Sequence, residues 1–267
     1  MPYRRPYLGD FDRARREQPA WPVVVSEGDS WFSYSNVVGM LDDPRGTGDP
    51  RDQRAWALLR LERAGDEILT ILSGGQKAKL RGIFRRCELD ALLFSAGGND
   101  LVGPDLLPLL RPWVDGMSAA DLVDERRFGR RLRQIGDGYR ELLDLLGDAG
   151  QTAPVLIHSY DYVKPSRKGA KLLGVVRVSG PWLLPAFAER GVPAEMRREV
   201  VRVLIDGFCA TVDQVAAETV GTSPLVRVET RGVVGESFED EIHPDRAGAR
   251  RVAKAFEREL RTRGVIA

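Results

Sequence analysis

Val23-Val24-Val25-Ser26-Glu27-Gly28-Asp29-Ser30-Trp31-Phe32 is the stretch around which the chain is organised. An apolar, β-branched run ends abruptly in Gly-Asp-Ser. Such a run reads as a buried strand, here about Pro22–Ser26. Gly28 lets the backbone turn sharply at its end. A serine placed there projects from the carboxyl edge of a sheet, where open α/β folds put their ligands. A serine nucleophile needs a base, a group to orient the base and donors for an oxyanion.

Outward from that strand, the chain alternates. Trp56–Glu62 reads as a strand or a helical turn, and periodicity does not choose between them. Glu67–Leu72 and Gln76–Cys87 read as helices around the Gly74-Gly75 break. Asp90–Ser95 is a buried strand ending at Gly97-Gly98-Asn99-Asp100. Leu101–Met117, with its prolines and leucines, reads as short helical pieces walling a cleft. Asp124–Gly147 carries Phe128, Leu132, Ile135, Tyr139, Leu142 and Leu146 on one helical face, with Gly136 and Gly138 as weak points. Pro154–Tyr160 and Leu225–Glu229 are further strands. Pro193 opens a helix to about Thr219, with Met196, Val200, Leu204, Phe208, Val212 and Val215 inward. Asp245–Arg263 is the last helix. Strands alternating with helices predict a parallel sheet covered on both faces.

Ser33 to Arg54 has loop composition. Its Gly46-Thr47-Gly48 follows no strand and lacks a third glycine, so it is no dinucleotide loop. Residues 1–20 read as an irregular or weakly helical lead-in, and 164–191 as an insertion that forms a lid or rim. Residues 1–267 show no internal repeat and no linker, which predicts a single domain.

Net charge is +1, so bulk charge calls for neither nucleic acid nor an anionic membrane. No apolar run approaches the roughly eighteen residues of a membrane span, and the first twenty residues have no apolar signal region. A cytoplasmic protein is the expectation. The two cysteines, Cys87 and Cys209, lie far apart and read as buried thiols. With only two histidines besides, no metal motif forms.

Those histidines are His158 and His243. His243 lies in Asp240-Glu241-Ile242-His243-Pro244, where Asp240, three residues earlier, can orient an imidazole. Asn99 offers a side-chain amide to an oxyanion, and the Ser30 N–H and a glycine N–H can complete the hole. The plainer roles are a helix cap for Ser30, a turn for Asn99 and an N-cap for Asp240, with Glu239 and Glu241 as solvated charges. His158 reads as structural at a strand end, or as lining the cleft with Tyr160 and Asp161. Asp29 and Asp100 read as organisers of their own loops.

Gly28-Asp29-Ser30, Gly97-Gly98-Asn99-Asp100 and Asp240-Glu241-Ile242-His243 resemble, in order, the serine, asparagine and histidine blocks of the SGNH/GDSL hydrolases. The resemblance spans nearly the whole chain. It implies a three-layer α/β/α fold with a five-stranded parallel sheet of flavodoxin-like type, and ester hydrolysis without a cofactor. The catalytic residues it implies are Ser30, Asp240 and His243, with Ser30, Gly65 and Asn99 forming the oxyanion hole and Gly74 the second choice for the glycine. Two positions depart from the pattern: Trp31 stands where the family has a smaller residue, and Ala64-Gly65-Asp66 stands for an Asn-x-Gly run. The expected substrate is a small-molecule or glycan ester. A carbohydrate deacetylase or an acyltransferase would use the same triad, and a non-catalytic binding module would keep only the fold.

Overall fold

The computed structural model describes residues 8–42, 56–172, 176–218 and 223–267. Five strands form one all-parallel sheet in the order β2-β1-β3-β4-β7. They are β1 (Val23–Gly28), β2 (Ala57–Arg60), β3 (Ala91–Ser95), β4 (Val155–His158) and β7 (Leu225–Val228). Val24, Val25, Leu92, Leu93, Leu156 and Ile157 are almost fully buried. Burial on both faces explains the unbroken apolar runs. Each such side chain contributes about 1.5–3 kcal/mol.

The helices form the two outer layers. The first, α1 (Leu8–Glu17), turns the expected lead-in into a helix with Phe11 buried. Next come α2 (Ser30–Ser33), α3 (Val37–Asp42), α4 (Ile68–Ile71) and α5 (Gly74–Arg86). After β3 follow α6 (Ala119–Leu122) and α7 (Glu125–Gly147); α8 (Leu184–Glu189), α9 (Ala194–Glu218) and α10 (Arg246–Thr262) complete the set. On one side α10 packs against α3, and on the other α7 packs against α4, α5 and α9. α7 runs unbroken through Gly136 and Gly138, where Thr211 of α9 and Ile68 of α4 come close.

Three sequence readings change or sharpen. Within Trp56–Glu62, Ala57–Arg60 resolves as strand, with Val23 to Ser26 in register with Ala57 to Arg60. Ser33–Arg54 is not all loop, because Val37, Val38 and Leu41 of α3 are buried in the core. Packing of these side chains outweighs the Asp/Gly/Pro composition around them. Gly46-Thr47-Gly48 lies outside the described residues. The 164–191 insertion contains an antiparallel pair, β5 (Ala170–Leu172) with β6 (Val176–Ser179), followed by α8.

β1 leads outward to β2, and the chain then returns past β1 to β3. The switch point of the sheet is therefore the gap between the carboxyl ends of β1 and β3, where such folds open a crevice. Ser30 follows one strand and Asn99 the other. Among the described residues, no helix is long and apolar enough to cross a membrane.

Candidate active site

The Gly28-Asp29-Ser30 turn is locked to β3. Gly28 pairs with Ser95 in register, and the Asp29 N–H donates to the Ser95 carbonyl at 2.8 Å. A Cβ on Gly28 would lie 2.3 Å from that carbonyl oxygen, and its φ is +145°. Only glycine fits both constraints. Asp29 then caps α2 by accepting the Trp31 N–H at 3.0 Å. Ser30 is thereby fixed as the first residue of α2, 5 % exposed.

The loop after β7 brings His243 up to Ser30. Asp240 Oδ1 accepts the backbone N–H groups of Ile242 at 2.9 Å and His243 at 2.8 Å. Its Oδ2 lies 2.8 Å from His243 Nδ1, and His243 Nε2 lies 2.7 Å from Ser30 Oγ. With Nδ1 donating to the carboxylate, Nε2 is left to accept from the serine hydroxyl. Asp240 caps no helix; Asp245 caps α10 instead, accepting from the N–H groups of Ala247 and Gly248. His243 is held between Tyr34 and Trp182, ring centroids 4.8 and 5.0 Å away.

The three expected oxyanion donors lie on the segments that follow β1, β2 and β3. The Ser30 N–H, at the start of α2, has no acceptor among the described residues, as expected for a first-turn amide. Asn99 donates one amide hydrogen to the Asp66 carbonyl at 2.9 Å, leaving the second free. The Ala64–Asp66 turn is anchored on its other side by the Arg63 N–H, which donates to the Gly28 carbonyl at 2.7 Å. Gly65, with φ +87°, thus belongs to a turn tied through Arg63 to Gly28 and through Asp66 to Asn99. Gly74 is the first residue of α5. Asp100 stays within its own neighbourhood, accepting the Ile68 N–H at 3.1 Å. Burial pushes its carboxyl up to about 6.

His158 belongs to a second network, built on Asp29 and Ser95. Its Nδ1 accepts the Tyr160 N–H at 3.2 Å, so Nε2 carries the hydrogen and donates to Ser95 Oγ at 2.7 Å. The Ser95 hydroxyl in turn donates to Asp29 Oδ1 at 2.7 Å, and the Tyr160 hydroxyl donates to Asp29 Oδ2 at 2.6 Å. Trp31 stacks on the imidazole at 5.0 Å. Burial holds His158 down at about 3, a neutral ring. Burial also pushes the Asp29 carboxyl up, against the pull of its Tyr160, Ser95 and Trp31 donors. Tyr160 takes a left-handed φ of 58°, and a Cβ on Gly98 would meet its ring at 2.6 Å.

No family model and no curated protein matches the sequence. Solved structures do match the fold. The lipase Lip_vut3 from a goat rumen metagenome superposes with a TM-score of 0.56 at 15 % identity, over 91 % of this chain and 97 % of that one. A protein assigned as a GDSL-like lipase from Bacteroides ovatus gives 0.51 at 12 % identity, over 92 % of this chain and 54 % of the other. The fold is that of the SGNH/GDSL hydrolases. A carbohydrate esterase family 3 structure from Talaromyces cellulolyticus scores 0.49 at 13 % identity, covering 90 % of this chain and 97 % of its own.

Within this SGNH frame, the residue that the sequence reading passed over is Glu241. It is fully buried rather than solvated. Its carboxylate accepts the N–H groups of Ser166 at 3.0 Å, Leu183 at 2.8 Å and Leu184 at 2.9 Å, and also that of Trp182. One carboxylate thus ties the inserted segment to the loop that carries Asp240 and His243. Burial pushes the Glu241 carboxyl up, and those backbone donors pull it back. Ser95 was also missed, being the unremarked last residue of a strand. Tyr160 and Asp161 line the cavity beside Ser30, while His158 lies beneath it. Among the described residues, no cluster of His, Cys, Asp and Glu is arranged to hold a metal ion.

Proposed function

We propose that the protein belongs to the SGNH/GDSL hydrolases by chemistry as well as by fold, and that it cleaves esters through an acyl-enzyme on Ser30. The observation that carries this reading is the relay from Ser30 Oγ to His243 Nε2 at 2.7 Å and from His243 Nδ1 to Asp240 at 2.8 Å. Ser30 Oγ attacks the ester carbonyl carbon while its proton passes to Nε2. The oxyanion that forms is met by the Ser30 N–H, the Gly65 N–H and the free hydrogen of the Asn99 amide. The imidazolium, steadied by Asp240, then protonates the departing alcohol. Water repeats the sequence on the acyl-enzyme, releases the acid and restores Ser30.

One domain carries this chemistry. Strands from residue 23 to residue 228 share one sheet, and α10 returns to pack on α3, beside the serine turn.

The two histidines test which of them is the base. With p-nitrophenyl esters as substrates, His243→Ala is expected to lose nearly all activity, and a folded His158→Ala to retain part of it. A dead His158→Ala beside a normal His243→Ala would overturn the assignment of the base.

A further inference from the structure

Two buried polar side chains take no part in the steps at Ser30. Ser95 ends β3 and His158 ends β4, each 1 % exposed, and neither lines the cavity in which Asp29, Ser30 and Tyr160 stand. Burying such groups is costly unless their hydrogen bonds are made. Here they are made, and all run one way. The Tyr160 N–H donates to His158 Nδ1, His158 Nε2–H to Ser95 Oγ, and the Ser95 hydroxyl to Asp29 Oδ1. Asp29 Oδ1 is also the cap that accepts the Trp31 N–H in the first turn of α2.

A hydroxyl has one hydrogen to give. Because His158 supplies a donor at Nε2, Ser95 points its own hydrogen at Asp29. With the ring hydrogen on Nδ1 instead, that nitrogen would face the Tyr160 N–H donor to donor, and Nε2 would claim the Ser95 hydrogen. Asp29 would then lose one of the donors that fix it. The tautomer of His158 therefore sets the direction of the whole chain. A charged ring would also set two donors against each other at Nδ1, and burial, which holds His158 down at about 3, keeps that form away.

The imidazole supports α2 in a second way. The rings of Trp31 and Phe32, the two residues after Ser30, stack on it with centroids 5.0 and 5.7 Å away. Trp31, the bulky departure from the family pattern, thus has a flat partner. Ser95 likewise grips the turn twice. Its carbonyl accepts the Asp29 N–H at 2.8 Å while its hydroxyl holds the Asp29 carboxylate. Asn99 follows on the segment that leaves the same strand. Ser95 therefore couples the segment of Ser30 to the segment of Asn99.

We propose that His158 and Ser95 are positioning residues for Ser30: the Nε2–H imidazole aims the Ser95 hydroxyl, which holds Asp29 and with it the turn that presents Ser30 to Asn99 and His243. This inference rests on the hydrolase reading of Ser30. Removing either residue displaces the serine without deleting a reacting group, and a misplacement of about 1 Å can cost ~10²-fold in rate.

The test uses the full-length protein with p-nitrophenyl acetate, with urea unfolding and fluorophosphonate labelling of Ser30 run in parallel. Folded Ser95→Ala and His158→Phe, the second keeping a flat ring without its nitrogens, are each expected to lower kcat by about 10–100-fold with little change in KM. The double variant is expected to lose no more than the worse single one, because both act through one chain. A folded Ser95→Ala with parental kcat, or losses that multiply in the double variant, would overturn the positioning role and leave the hydrolase standing. Should the variants not fold, the unaltered protein still decides. Heteronuclear NMR of its imidazole nitrogens is expected to place the His158 hydrogen on Nε2, and a hydrogen on Nδ1 would overturn the proposal. An unaltered protein neither labelled at Ser30 nor active would overturn this inference together with the reading it rests on.

Discussion

Trp182 stands edge-on to His243, ring centroids 5.0 Å apart and planes at 88°. Its backbone N–H is held by Glu241, two residues before that histidine. The inserted segment and the base of the relay are thus parts of one assembly.

Removing the Glu241 carboxylate leaves four buried or half-buried N–H groups without an acceptor, each worth roughly 1–3 kcal/mol. Glu241→Ala is expected to lose about 3 kcal/mol or more in urea unfolding and to lower kcat as Trp182 drifts from His243. Glu241→Gln, which keeps one acceptor oxygen, is expected to lose less in both assays. An Ala variant as stable and as active as the parent would remove Glu241 from this role.

The Tyr160 hydroxyl donates to a carboxylate that is 1 % exposed. Hydrogen bonds to charged groups contribute about 1.5–3 kcal/mol. Tyr160→Phe is expected to destabilise the protein by that amount, and to reduce kcat more than it changes KM, because Asp29 caps the helix that begins at Ser30. An unchanged denaturation midpoint would show that Asp29 finds a replacement donor.

Much of this was legible in the sequence because the signals were local. The β-branched run into Gly28-Asp29-Ser30 marked both a strand and the exit of its serine. Asp240 and His243 are close enough in the chain to be paired on spacing alone. Glu241 gave no such signal, since its partners at Ser166 and Trp182 to Leu184 lie more than fifty residues away. Ser95 was hidden for a similar reason: it ends a strand, and only the sheet order makes it the neighbour of His158, which the sequence had marked as structural at a strand end. α3 was lost in the composition of its surroundings, its burial being decided by α10 near the other end of the chain.

Glu27 gives the stability a pH dependence. Burial, with the Asp66 and Glu62 carboxylates nearby, pushes its pKa from 4.5 up to about 7 against the pull of the Gly28 N–H and Lys79. Between these values the folded protein holds a proton that the unfolded chain has released, so the contribution is full below pH 4.5 and is lost as pH rises through 7. The swing is about 3 kcal/mol. Glu27→Gln is expected to flatten it, read as the difference between variant and parent in urea unfolding at pH 5 and pH 8. A difference independent of pH would mean that Glu27 is already ionised throughout.

Asn99 is expected to act on the oxyanion rather than on the bound ester. Asn99→Ala should lower kcat by ~10²–10³-fold with little change in KM. A change confined to KM would assign the amide to ground-state binding.

The central claim is that Ser30 is a nucleophile activated by His243. Its most direct test is the intact mass of the full-length protein after exposure to a fluorophosphonate, with the adduct located by peptide mapping. One adduct is expected, on Ser30, absent from Ser30→Ala and strongly slowed in His243→Ala. An unlabelled protein, or an adduct on another residue that persists in Ser30→Ala, would contradict the account.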